Sequence, residues 1–554
     1  MCGFVVCLNV EASKRDQSMK VLKKGLGLLV HRGPDESLVL QTAAGNLFGH
    51  TRLAIVAPDK GTQPICHRGK TWVHNGEIYN HLELKKLTAS STPYEESDSA
   101  AIGVAFDHYG EEFVSHLDGV FALALEFTDD VGEVKVIVAR DPLGVKPLFY
   151  GQDQDGGMWF ASEMKALVGH CLSIETFPPG TMYLTGKGFI KYYQPEFRKR
   201  VSGIDKDVEE VKEKIATGLE AAVKKRLMGD VPMGALLSGG LDSSLVAALA
   251  ARELKKKGER LTTFSVGLES STMDLEKAKL VAEHIGSDHY SITYTVEEGI
   301  DAIKEMVGLL ESYDVTTIRA STPMLLMSKA IKRLGIKSVL SGEGADEIFG
   351  GYLYFAHAPS AQDFHDECLR RVAGLHKADL LRADRSTMGA SVEARVPFLD
   401  LEFLEMSMGI DARLKVMSDS RPEKWILREA FRGSDLLPDE VLWRQKEQFS
   451  DGVGYEWVDG LKDLAEALVS DDDFSLASTL YPFNTPSSKE AFLYRRIFSE
   501  IYKHPAVEKQ TSKWIPRWQD YNTDPSGRAN KVHAKTTEVQ HEIFATGASL
   551  QAGK

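Results

Sequence analysis

A cysteine stands directly behind the initiator methionine in "MCGFVVCLNV". A small second residue lets the methionine be trimmed away, leaving Cys2 with a thiol and a free α-amine on one residue. The thiolate is the attacking form, and only a few per cent of a free thiol is ionised at neutral pH. An α-amine titrates at about 8 in a reference peptide, close enough to operating pH to carry the proton. Cys2 thus brings its own nucleophile and its own base.

A second chemistry is written in "LLSGGLDSS", between an apolar strand-like run and a helix-like one. Glycines turn the backbone tightly and aim amide N–H groups at an anion. The hydroxyls of Ser238, Ser243 and Ser244 add donors, and a helix N-terminus adds partial positive charge. Asp242 would repel a phosphate by itself, so a carboxylate there calls for a bridging Mg²⁺. The chain has no G-x-x-x-x-G-K-[ST] segment, so this is not an ordinary P-loop. The alternative is a glycine turn with an Asp–Ser helix cap.

A further loop, "VLSGEGADEIFGGY", follows another apolar strand and offers Ser341, Gly342, Glu343, Asp346 and Glu347. Asp346 would complete a metal site and Glu343 would hold an amine or ammonia; a solvated acidic turn is the plain alternative. Cations come from "DVTTIRASTP", with Thr316, Thr317 and Arg319, and from "WRQKEQFSDGVG", with Arg444 and Lys446. A leaving pyrophosphate needs such charge, although each group taken alone also fits an ordinary surface.

These residues need elements to hold them. The chain has 554 residues, enough for several domains, and 26% charged with 43% hydrophobic side chains marks a soluble globular protein. The net charge of -14 argues against a bulk nucleic-acid or anionic-membrane binder. No apolar run is long enough to span a bilayer, and the N-terminus lacks a secretory pattern. Five scattered cysteines without a CxxC pair indicate neither a disulfide framework nor a zinc site and suit a reducing cytoplasm.

Up to about residue 195 the chain reads as short strands with two helical pieces, an α+β domain with sheets packed face to face. A polar linker leads to a new texture. Val208, Val211, Ile215, Leu219, Val223 and Leu227 recur at helical spacing, and strands then alternate with helices, which implies a parallel sheet with ligands at the carboxyl ends of its strands. From about residue 350 the pattern is mainly helical. The expected domains are 2–195 and 207–525, with a polar, aperiodic and disordered tail at 526–554.

Cys2-Gly3, "HRGPD", "HTRLAIV", "HNGEIYNH", "ESDS" and "ARDPLGVKPLFY" resemble an amidotransferase domain with an N-terminal cysteine nucleophile. "SGGLDSS" is similar to the pyrophosphate loop of ATP pyrophosphatase-type ligases and thiolases. Both modules in this order, with "SGEGADEIFGGYLYF", "VEARVPFLD" and "WRQKEQFSDGVGY", resemble the glutamine-hydrolysing asparagine synthetases over nearly the whole chain. The resemblance implies an Ntn-hydrolase-like four-layer sandwich of antiparallel sheets and helices, followed by an α/β parallel-sheet synthetase domain with a helical C-terminal part.

It also implies roles. Cys2 attacks the glutamine side-chain amide to give a thioester and ammonia. Asn75 and the Gly76 amide form the oxyanion hole, Arg52 takes the substrate carboxylate, and Glu77 and Asp98 hold its ammonium. ATP lies over Leu237, Ser238, Gly239, Gly240, Asp242, Ser243 and Ser244, near Val266, with Ser341 and Gly342 opposite. Asp242 and Asp346 hold Mg²⁺, and Lys446 sits beside the pyrophosphate. Thr316 and Arg319 position aspartate, and Glu343 assists the ammonia step. A cytoplasmic homodimer is implied, with glutamine, aspartate and ATP as small-molecule partners. Three competing readings remain: a lactam-type synthetase, a transfer-RNA-modifying enzyme and a metabolite sensor. Intact glutamine motifs weigh against the first, the acidic charge against the second, and the presence of Cys2, Asp242 and Lys446 against the third.

Overall fold

A computed structural model describes residues 2–87, 97–198, 207–270, 273–445 and 455–518. The expected tail at 526–554, Lys446 and most of the linker fall outside these residues. The opening strand, Cys2–Leu8, lies inside a six-stranded antiparallel sheet between Leu47–Arg52 and Met158–Ala161. Successive strand residues point to opposite faces, so one strand feeds two cores. Phe4, Val6 and Leu8 pack with Val73, Ala122, Ala124 and Val138 of a second sheet. Val5 and Cys7 face Leu22 and Leu26 of the helix Arg15–Gly27.

The second sheet is also six-stranded and antiparallel. Its outer face, including Phe121, Leu123 and Ile137, packs on Ala101, Ile102 and Ala105 of helix Ala100–Tyr109. Helix, sheet, sheet and helix make the four layers. Each fully buried Val, Leu, Ile or Phe contributes roughly 1.5–3 kcal/mol, so the alternation alone fixes which face goes where.

The second half is built on a five-stranded parallel sheet ordered Asp288–Tyr294, Thr262–Leu268, Met233–Leu236, Ser338–Leu340, Glu393–Arg395. Helices Val208–Arg226, Leu241–Lys256 and Met273–Ile285 bury Ile215, Leu245 and Val281 in one core. Helices Val296–Leu310 and Val315–Arg333 bury Met306, Val307 and Leu325 in another. The central strands are therefore covered on both sides, as a parallel sheet requires. The fifth strand, Glu393–Arg395, lies in the stretch whose sequence pattern is mainly helical.

Buried ion pairs join the two halves. Arg32 reaches Glu163 at 2.8 Å and Asp384 at 2.7 Å, and its Nε donates to the carbonyl of Cys2 at 3.1 Å. Asp400 accepts from Lys225 and Arg226, each at 2.8 Å, while Lys225 also reaches Asp118 at 2.7 Å. Among the described residues no helix is long and apolar enough to cross a membrane.

Candidate active sites

Cys2 opens its strand directly opposite Arg52 and is 6% exposed. Its backbone N–H donates to Asn75 Oδ1 at 3.0 Å. The other end of that amide, Asn75 Nδ2, is buried and has no hydrogen-bond partner. A buried unsatisfied donor costs stability. Gly76 has φ 143°, and a Cβ there would come within 1.9 Å of the Val120 carbonyl oxygen. Only glycine fits this strand there.

Cys2, Arg52, His74, Gly76, Glu77 and Asp98 are among the residues lining one small pocket. Burial pushes the Cys2 thiol up, while the positive N-terminus, the Leu53 amide and Arg52 pull it back. Arg52 donates to the carbonyls of Ala57 at 2.8 Å and Pro58 at 3.0 Å, and also to that of Lys60. Its fork thus holds the turn between two lining residues, Val56 and Gly61. Glu77 Oε1 is 3.1 Å from Arg395, and Glu77 Oε2 has no hydrogen-bond partner. Burial and the neighbouring Glu393 carboxylate push Glu77 up to about 8, against the pull of Arg395. Asp98 is raised by burial although Oδ2 accepts from the Ile78 amide at 3.0 Å. Two carboxylates raised by burial at one end of a pocket are suited to an incoming cation.

The second site is a cleft at the carboxyl ends of the parallel strands. Leu237, Ser238, Asp242 and Ser243 line it from one strand end, Val266 from the next, and Ser341, Gly342, Glu343 and Asp346 from a third. Ser243 Oγ accepts from the Ser238 amide at 3.1 Å and pairs with Ser238 Oγ at 3.0 Å, which holds the loop shut on itself. Gly240 is the N-cap of helix Leu241–Lys256. Gly239 turns at φ 71°, and its carbonyl accepts from Arg444 at 3.2 Å. Ser244 Oγ is buried without a partner and is not among the cleft-lining atoms. A Cβ on Gly342 would lie 2.7 Å from the Ser243 amide, so the two loops approach to backbone contact.

Asp242 and Asp346 do come together, and Lys424 stands between them. Its Nζ is 2.5 Å from Asp242 Oδ2 and 2.6 Å from Asp346 Oδ1. Lys424 is 1% exposed and sits at φ 57°, a left-handed position for a non-glycine residue. Sequence reasoning missed it because "RPEKWILREAF" contains no glycine loop and reads as a charged helix start.

Thr316 faces the cleft, but Arg319 does not. Arg319 makes a buried bidentate pair with Glu490 at 2.9 and 2.6 Å. Helical spacing alone does not exclude it, since Arg319 is only about 60° round from Thr316; the pair with Glu490 holds its guanidinium outside the cleft lining. The cation that does face the cleft is Arg382, whose Nη2 is 2.8 Å from Glu343 Oε2 and 3.1 Å from Asp379 Oδ1. Trp514 also lines the cleft. It is held by its amide donating to Asp314 Oδ1 at 3.1 Å and by the Arg371 guanidinium 3.9 Å from its ring centroid.

Two family models match this chain: the glutamine amidotransferase domain over residues 1–204, and asparagine synthase over residues 214–366 and 356–521. A probable glutamine-hydrolysing asparagine synthetase of Dictyostelium discoideum is 45% identical over 567 aligned residues, covering 97% of this chain and 100% of that protein. Glutamine-hydrolysing asparagine synthetase 2 of Arabidopsis thaliana is 45% identical, covering 99% of this chain and 98% of that protein. Glutamine-hydrolysing asparagine synthetase 3 of the same plant is 46% identical, covering 96% and 94%. With both modules matched, and relatives aligned from end to end, the chain belongs to the family of glutamine-hydrolysing asparagine synthetases.

Proposed function

We propose that this enzyme forms L-asparagine from L-aspartate and ATP through an aspartyl adenylate, using ammonia taken from L-glutamine and releasing glutamate, AMP and pyrophosphate. The observation that carries the reading is the pairing of Cys2 with Asn75: one end of the amide holds the Cys2 nitrogen and the other end is an unspent donor. Once Met1 is removed, that nitrogen is the α-amine. It takes the thiol proton, the thiolate adds to the glutamine carbonyl, and Asn75 Nδ2 with the Gly76 amide receives the oxyanion. Arg52 meets the substrate carboxylate, and Glu77 with Asp98 meets the ammonium.

In the cleft, the Ser238–Ser244 loop cradles the phosphates while a carboxylate oxygen of aspartate attacks the α-phosphorus. Asp242 and Asp346 fit a Mg²⁺ ion: both are hard oxygen donors, and buried Asp242 Oδ1 lacks a hydrogen-bond partner. Bound there, the ion would neutralise pyrophosphate as it leaves. Lys424 and Arg444 line the adjoining pocket, and Lys446 follows closely in sequence. Thr316 and Arg382 border the aspartate end, and Glu343 receives a proton as ammonia displaces AMP. At neutral pH about 99% of free ammonia is ammonium if its pKa is near 9, so passage inside the chain keeps it nucleophilic. We assign the enzyme to the cytoplasm as a homodimer on the family resemblance.

Cys2→Ala tests the reading. Glutamine hydrolysis should disappear while ammonium-dependent asparagine formation persists; glutamine hydrolysis surviving in the variant would contradict it.

A further inference from the structure

One buried cluster runs from the glutamine pocket, through Glu77, to the synthetase cleft, and its members Arg395, Glu393 and Lys146 line neither pocket. Arg395 Nη2 reaches Glu77 Oε1 in the glutamine pocket at 3.1 Å, and its Nε donates to Glu393 Oε1 at 2.6 Å. Nη1 donates to the carbonyls of Arg226 at 2.9 Å and of Met228. Lys146 Nζ lies 3.7 Å from Glu393 Oε2 and completes a set of two carboxylates and two cations, all at most 3% exposed. The backbone carbonyl of the same Arg395 accepts from the Ser341 amide at 2.8 Å. Ser341 begins the loop that carries Glu343 and lines the synthetase cleft.

We infer that Arg395 is a positioning residue shared by the two sites: its guanidinium holds the Glu77 carboxyl in place for glutamine, and its backbone holds the Ser341 end of the synthetase loop, so that occupancy of one site is felt at the other. This rests on the proposed roles of Glu77 and of the cleft. The physical route is short. An α-ammonium arriving beside Glu77 Oε2 competes with Arg395 for the carboxylate. Arg395 then leans on Glu393, within a strand of three residues hydrogen-bonded to Ser338–Leu340, with Leu340 opposite Arg395. The Ser341 anchor follows directly. By linkage, whatever stabilises the loop in the cleft also changes the affinity for glutamine.

The test is Arg395→Met, measured with glutamine and with ammonium as nitrogen donor. Removing the cation takes away the buried partner that orients the Glu77 carboxyl and opposes the push from burial and Glu393, so Glu77 becomes a weaker partner for ammonium. A buried ion pair is broken, so KM for glutamine should rise by about tenfold or more, and glutamate formed per asparagine should rise about threefold or more. The ammonium-driven kcat should stay within about threefold, since the substitution leaves the Ser341 anchor, a backbone bond, in place. Arg395→Lys keeps the charge and should recover part of the glutamine KM; it also carries the test if Arg395→Met does not fold. Wild-type glutamine KM and product ratio in either variant would overturn the inference. A parallel fall with both donors at an unchanged ratio would also overturn it, leaving a plain interdomain ion pair. A wild-type enzyme that does not hydrolyse glutamine would instead remove the underlying reading.

Discussion

Lys424 places its ammonium 2.5 Å from Asp242 and, in the same position, 2.6 Å from Asp346. One buried cation is therefore shared by the two carboxylates. Asp242→Asn should lose pyrophosphate release with both nitrogen donors and keep glutaminase activity. Lys424→Met should reduce pyrophosphate release by about 100-fold, the scale of one preorganised group facing developing charge. Both effects are read by pyrophosphate assay with glutamine and with ammonium, and unchanged rates from both variants would refute the assignment.

Glu343 and Arg382 form a 2.8 Å pair inside the cleft. If Glu343 takes the proton from ammonia, Glu343→Gln should slow amide formation by on the order of 100- to 10,000-fold while leaving ATP affinity near normal. Glu343→Asp keeps the charge and should recover part of the rate. Weakened ATP affinity with normal turnover at saturation would make Glu343 a loop residue only.

Trp514 lines the same cleft as Glu343 and Arg382. Trp514→Ala should let water reach the activated carboxyl and raise AMP formed per asparagine by roughly a few-fold, because sealing a site from water suppresses hydrolysis of reactive intermediates. Quantifying AMP and asparagine from one reaction decides this; an unchanged ratio would contradict it.

Asp400 is buried between Lys225 and Arg226, which hold its carboxyl down at about 2 against the cost of burial. Its folded pKa lies below the unfolded one. The stabilisation is therefore present above about pH 4 and lost as pH falls through about 2, and amounts to about 2 kcal/mol at neutral pH. Asp400→Asn should lower Tm at pH 7, and the gap from wild type should narrow as pH falls toward 2. A constant gap across that range would contradict the assignment.

Much of this architecture is legible in the sequence where one force dominates. Val211, Ile215 and Leu219 recur at helical spacing, so burial alone assigns that helix. The strand Glu393–Arg395 is illegible for the opposite reason. Its charged side chains are buried only because Glu77, Lys146 and each other neutralise them, and those partners are remote in sequence. The site divides the same way. Glycine loops announce Ser238 and Gly342, because tight turns need special residues at fixed spacing, whereas Gly76 stands inside a strand and comes only from the family resemblance. Arg319, Arg382 and Lys424 are ordinary cations until their partners are known, and Glu490 holds Arg319 outside the cleft lining. Trp514 comes from a C-terminal stretch without a motif.

The central claim is that nitrogen leaves glutamine at Cys2 and joins an aspartyl adenylate made in the other half of the chain. It is tested most directly by supplying glutamine labelled with ¹⁵N in its amide and aspartate labelled with ¹⁸O in its side-chain carboxylate. Adenylate chemistry requires the ¹⁵N in the asparagine amide and one ¹⁸O in AMP, with pyrophosphate unlabelled. Appearance of the ¹⁸O in inorganic phosphate with ADP as co-product, or ¹⁵N released only as free ammonia, would contradict the account.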